Sequence, residues 1–234
     1  MGGHLAERLL QYLHAPRLSL SRLPLMALVD HRARLLVTAA PGTGSTALIE
    51  ALVAQRGATE VVGHDRAREV GVDAKHATVG QLVEAGVVEP GHGMRIVTTT
   101  RNPYDFYVAE YTRTRTRWVH ELRRPDSWVH DVPGAIDRIV DAVTLDFDAW
   151  LHGVVDNPGQ PLRINRGHVA EADVVLRMEH LESDLAEQVG LEVAVPPTNV
   201  TDRERAYWRS YSVESRRLVA AAHAGDLELF GYAF

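Results

Sequence analysis

Apolar runs that end in glycine- or proline-bearing turns, each followed by helical spacing, recur along the chain. Residues 5–13 place Leu5, Leu9, Leu10 and Leu13 on one stripe, predicting a short amphipathic helix that Pro16 ends. Residues 34–40 (RLLVTAA) read as a buried strand. It stops at Pro41-Gly42-Thr43-Gly44, and Ala47, Leu48, Ala51 and Leu52 then mark a helix over 45–55. A helix over 78–86 is expected with Thr78 as N-cap. Residues 95–100 (RIVTTT) form a second strand, closed by Arg101-Asn102-Pro103, with a helix from 103 to about 117 whose first position tolerates proline. A single long helix is expected over 133–154 and a turn over 158–161. Then come a third strand over 173–178 (DVVLRM), a helix over 179–189, a loop from Pro196-Pro197, a helix over 212–222 and an aromatic tail over 226–234. Strands alternating with helices predict an α/β fold, a central parallel sheet covered by helices on both faces. No repeat or linker divides the 234 residues, so one domain is expected, with residues 1–33 as a helical extension.

Composition narrows the function classes. The hydrophobic share of 45% and the charged share of 24% are those of an ordinary globular chain. The formal charge of −6 argues against a nucleic-acid partner. No run of apolar residues is long enough to span a membrane, and the first residues lack the apolar core of a signal peptide, so a cytoplasmic location is expected. With no cysteine, thiolate catalysis, disulfides and cysteine-ligated zinc are excluded. The histidines show no paired metal-ligand spacing, so no metal is expected.

The turn between the first strand and its helix carries candidate chemistry. Pro41, Gly42, Thr43, Gly44, Ser45 and Thr46 form a turn that, after the proline, would present backbone N–H groups, hydroxyls and a helix N-terminus to a phosphate. A tight βα turn with ordinary caps is the plainer alternative. The P-loop of nucleoside triphosphatases requires a lysine where Ser45 stands. The second turn, Arg101-Asn102-Pro103-Tyr104-Asp105, puts an always-charged, fork-shaped guanidinium at a strand end, a group suited to a second phosphate.

Taken together these segments resemble the sulfotransferases that use 3′-phosphoadenosine 5′-phosphosulfate (PAPS), in their carbohydrate-type and bacterial branch. Pro41, Gly44, Ser45 and Thr46 match the P-[KR]-x-G-[ST]-[ST] loop, with Gly42 where the cation stands. Residues 101–111 match R-N-P-Y-D-R-x-V-S-x-Y, with Ala109 where the family has a phosphate-binding serine. Lys75-His76-Ala77-Thr78 resembles K-H-x-T, residues 177–181 resemble R-x-E-x-L, Asn199-Val200-Thr201 resembles N-x-[ST], and Phe230-Gly231-Tyr232 resembles the closing F-G-Y. The resemblance covers the chain from about residue 35 onward. It implies a P-loop-like three-layer sandwich and a PAPS site. In that site residues 41–46 would hold the 5′-phosphate, Arg101 the 3′-phosphate, and Asn199, Thr201 and Arg203 would approach the nucleotide. The expected reaction transfers a sulfuryl group to a hydroxyl or amine of a small-molecule or sugar acceptor and releases the bisphosphate PAP. No membrane partner is expected, and a homodimer is compatible with the chain.

His76 is the first candidate for general base, since an ordinary imidazole titrates near about pH 6.5, and His64 is the reserve. Lys75, the only lysine, is placed to replace the cation missing at Gly42. Arg113, Arg115, Arg117, Arg123 and Arg124 form a basic stretch that reads as a solvated face or as a phosphate clamp. Two further readings stay open: a repurposed, non-catalytic protein on the same fold, which the departures at Gly42 and Ala109 favour, and a nucleoside triphosphate binder.

Overall fold

The computed structural model describes residues 27–73, 75–157, 162, 164 and 167–234; of His64 only the backbone is described. The helix expected over 5–13 and the turn over 158–161 lie outside these residues. In chain order the elements are β1 (Leu28–Asp30), β2 (Leu35–Val37), α1 (Ser45–Arg56), β3 (Thr59–Glu60), α2 (His64–Glu69), α3 (Val79–Glu84), β4 (Arg95–Thr100) and α4 (Pro103–Thr116). There follow α5 (Ala135–Thr144), α6 (Phe147–Val155), α7 (His168–Glu171), β5 (Val174–Arg177), α8 (Leu181–Asp184), α9 (Val213–Ala222) and α10 (Ala224–Phe230). The chain divides into two compact units. One comprises the described residues of Arg22–Asn102 and Arg163–Val200 and holds every strand; the other comprises those of Pro103–Leu162 and Thr201–Phe234 and is helical.

The first unit is built on a five-stranded sheet of order β3-β1-β2-β4-β5. The sheet is mixed, which corrects the expectation of a parallel one. β2–β4 and β4–β5 are parallel, whereas β1 pairs antiparallel with both β2 and β3. The cause is the short link from Asp30 to Leu35, since parallel neighbours require a long crossover. The Asp30 carboxylate accepts the N–H groups of Arg32 and Ala33, both at 3.0 Å, and Arg34 takes a left-handed φ of 54°. β1 also falls inside the stretch expected as a helical extension.

Alternation along β2 separates two apolar clusters. Leu35 and Val37 join Leu48 and Leu52 of α1, with Leu181 and Leu185 from α8 onward. Leu36 joins Ala67 of α2 and Val79 and Leu82 of α3. The sheet therefore carries apolar packing on each face. Because β2, β4 and β5 run parallel, their C-terminal ends open at one edge, delivering the turns after Val37, Thr100 and Arg177 to the same place.

The second unit packs α4, α5, α6, α9 and α10 around aromatic rings. Phe147 lies 5.5 Å from Tyr111 and 4.9 Å from Tyr211, and Phe234 lies 4.9 Å from Tyr104. The single helix expected over 133–154 is two. Leu145 turns extended and the Asp146 side chain caps α6 by accepting the N–H of Ala149 at 2.9 Å. The helix expected over 179–189 is also subdivided, into a 3-10 turn at Met178–His180, α8, and a π turn at Leu185–Val189. Most of the tail expected over 226–234 belongs to α10.

Candidate functional site

Three turns meet at the C-terminal edge of the sheet, and each touches the other two. The turn after β2 begins with Ala39 and Ala40, both fully buried, and carries Gly42 and Gly44 at φ of 76° and 80°. These are left-handed values that a side chain would strain. A Cβ on Gly44 would fall 2.6 Å from Met178 Cγ, so the glycine also lets the turn after β5 close over it. Arg101, in the turn after β4 and only 7% exposed, donates from Nη1 to the Gly42 carbonyl at 3.1 Å. The Asn102 N–H donates to Glu179 Oε1 at 2.8 Å, joining the second turn to the third.

Inside the first turn the hydroxyls face inward. Thr43 Oγ1 donates to the Ala40 carbonyl at 2.7 Å and lies 2.5 Å from Thr99 Oγ1, and Ser45 Oγ donates to the same carbonyl at 3.2 Å. Both residues are buried and Thr46 is half-buried. Thr43 and Ser45 thus brace the loop through their side-chain hydroxyls. The ladder of α1 starts with Ala47 and Leu48 donating to the Gly44 carbonyl. The N–H groups of Ser45 and Thr46 precede that ladder, as the first donors of any helix do.

The turn bearing His76 reaches the same edge. His76 Nδ1 lies 2.7 Å from the Ala39 carbonyl. A carbonyl only accepts, so Nδ1 carries the hydrogen, and in the neutral ring the lone pair falls on Nε2. Asp73 Oδ1 accepts the N–H groups of Lys75 and His76, each at 2.9 Å. Thr78 caps α3 as expected, in a reciprocal box with Gln81.

The remaining candidates are distributed as follows. His64 opens α2. Asn199 stands in the sheet-bearing unit, exposed, with φ of 54°. Thr201 and Arg203 belong to the helical unit. The Arg203 guanidinium forms a largely buried ion pair with Asp105, the acid in the first turn of α4. Arg113 pairs with Glu110 at 3.6 Å, and Arg115 donates to Tyr111 Oη at 2.6 Å. Trp150 is core, and Trp118 packs edge-on against Trp128 at 5.4 Å.

Further side chains hold the turns around this edge. Arg177 is gripped by Asp184, which accepts from Nε at 3.0 Å, Nη2 at 2.7 Å and the Arg177 N–H at 2.8 Å. Burial alone would raise the Asp184 carboxyl, but the hydrogen bonds and charge of Arg177 outweigh it and hold it below the ordinary value of 3.8. His168, 1% exposed, sets Nδ1 3.2 Å from Thr38 Oγ1 at the exit of β2. Glu171 spans the start of α3, accepting from Thr78 Oγ1 at 2.9 Å and from the Gly80 N–H at 3.1 Å.

This edge gathers a guanidinium, the amides of a glycine turn at a helix start, and an imidazole whose Nδ1 faces a backbone carbonyl. Those groups suit an anion bearing phosphate and the removal of a proton beside it. Among the described residues no cluster of three or more histidine, aspartate and glutamate side chains gathers as a metal site, and no helix is long and apolar enough to cross a membrane. No protein-family model, curated protein or solved structure matches the chain.

Proposed function

We propose that the chain is a PAPS-dependent sulfotransferase on a P-loop-like three-layer sandwich, acting on a hydroxyl or amine of a small-molecule or sugar acceptor. The observation that carries this reading is the hydrogen bond from Arg101 to the Gly42 carbonyl, which puts the two anion-suited turns side by side. The residues fit the nucleotide in kind. The amides of Gly44, Ser45 and Thr46 would take the 5′-phosphate at the helix start, and Arg101 the 3′-phosphate. PAPS supplies the sulfuryl group, whose bond to the 5′-phosphate oxygen breaks as the bond to the acceptor forms. Nε2 of His76 receives the acceptor proton, and Lys75 provides the cation that Gly42 does not. The chain's backbone donors and cations would stabilise negative charge as it develops.

A repurposed relative is the second reading. Its support is that the hydroxyls of Thr43 and Ser45 serve the loop itself and that Glu179 occupies the Asn102 N–H.

Calorimetry with adenosine 3′,5′-bisphosphate tests the proposal. Micromolar-range binding is expected, with no gain from exchanging it for ATP and magnesium, and Arg101→Ala should weaken it about 100-fold, or roughly 2.7 kcal/mol. Absence of binding overturns the reading. Binding without transfer from PAPS to any of a panel of alcohols, sugars and amines selects the repurposed protein. Unchanged turnover in Lys75→Ala removes that residue's role.

A further inference from the structure

The bond between His76 and Ala39 is held at both ends by one short helix. α7 begins with His168, buried against Thr38, the residue before the carbonyl that His76 uses. It ends with Glu171, whose two carboxylate oxygens take the Thr78 hydroxyl and the Gly80 N–H, two and four residues beyond His76. One element thus fastens the acceptor side of the imidazole bond through His168 and the donor side through Glu171.

The carboxylate is not needed as a helix cap. Thr78 already receives the Gln81 N–H at 3.4 Å and Gln81 Oε1 receives the Thr78 N–H at 2.9 Å, so α3 has its reciprocal cap without Glu171. Glu171 instead adds a second long-range tie, across more than ninety residues, to the turn that His76 joins to Ala39. The glycine at position 80 admits it: a Cβ there would lie 2.9 Å from Glu171 Oε1. On the other flank Asp73 holds the backbone of Lys75 and His76.

We propose that Glu171 is a positioning residue for His76. It keeps the turn of residues 75–80 seated so that Nδ1 stays on the Ala39 carbonyl and Nε2 remains the proton-accepting nitrogen. The inference rests on the assignment of His76 as base. It concerns the ring's tautomer and orientation, which exist in the free protein.

The experiment uses the full chain, labelled with nitrogen-15 in its histidines, with the His76 signals assigned by their loss in His76→Gln. Wild type should show one neutral tautomer with the hydrogen on Nδ1. In Glu171→Ala the ring should show mixed tautomers. Nucleotide affinity should stay within about twofold, while kcat falls about 10–100-fold with KM for PAPS unchanged, the loss expected when a reacting group is displaced by about an ångström. Glu171→Gln keeps an oxygen for Thr78 but loses the acceptor for Gly80, and should lie between the two. If Glu171→Ala is too unstable to study, the tautomer in Glu171→Gln decides. A His76 ring signal unchanged in the folded variant overturns the proposal. Failure of wild type to bind the bisphosphate would remove the functional reading alone, because the ring-nitrogen measurement still reports whether Glu171 positions His76.

Discussion

The exits of β2 and β5 lie at the same edge of one sheet and differ in the groups that fix each turn from within. Within the exit of β2 the turn's own contacts are neutral, two hydroxyls on one carbonyl inside a six-residue span with glycines where the backbone turns left-handed, and its charged contact, from Arg101 to the Gly42 carbonyl, comes from the neighbouring turn. The exit of β5 is charged. Asp184, 1% exposed, carries three hydrogen bonds from Arg177, and Glu179 reaches the N–H of Asn102. The difference separates shape from clamping. The neutral turn fixes where backbone amides point, and the charged turn locks the neighbouring turns against it.

Removing the charge at the β5 exit gives the largest expected effect. Asp184→Ala removes the carboxylate that grips Arg177 and should cost about 3 kcal/mol, less than a fully buried pair because the guanidinium is partly exposed; urea unfolding measures it. A loss below about 1 kcal/mol would erase the contrast between the two exits. Gly44→Ala should follow at about 2–3 kcal/mol, from a left-handed alanine and the approach to Met178, read in the same titration. A neutral result would mean that the loop adapts.

Acid should discriminate between the exits. The folded-state carboxyl of Asp184 lies below its ordinary 3.8, so the folded protein binds fewer protons there than the unfolded chain. Its stabilisation is present above about pH 3.8 and is lost as pH falls through the folded value. Asp30 behaves alike: burial raises its carboxyl, and Arg56 with the N–H groups of Ala33 and Arg32 more than reverses that. Stability measured between pH 5 and pH 2 should fall, and Asp184→Asn should flatten part of the fall. The smallest effect belongs to Thr43→Val, about 1 kcal/mol for the lost hydroxyl, with the acid limb unchanged. A change of that limb would show the two exits to be coupled.

The sequence made both exits readable as strand ends, but it marked the turn of only the first. Glycine, proline and threonine between an apolar run and helical spacing announce a βα turn. The same local logic found Thr78 as a cap and the span of β4, because every group concerned lies within a few residues. Glu171 and Asp184 carry no comparable signal, and Glu179 shows only through the resemblance over residues 177–181. Glu171 and Glu179 act on partners far away in the chain, and an acidic residue near a helix start reads equally well as solvated. The helix over 133–154 failed for a local reason that was present but weak, a capping aspartate at 146 inside an otherwise helical pattern. The antiparallel β1 failed because a three-residue strand is too short to show alternation, and its turn depends on the side chain of Asp30. For the candidate site, the two turns after β2 and β4 were legible as turns, whereas the inward aim of Thr43 and Ser45 depends on a carbonyl that no pattern of residue types reveals.

The mutual bracing of the three turns has an evolutionary consequence. Lengthening or shortening any one of them by a residue would unseat the other two, so the rim tolerates substitution better than insertion. Diversification should then be confined to segments outside that triangle, and relatives should keep identical spacing from Pro41 to Thr46 and from Arg177 to Asp184.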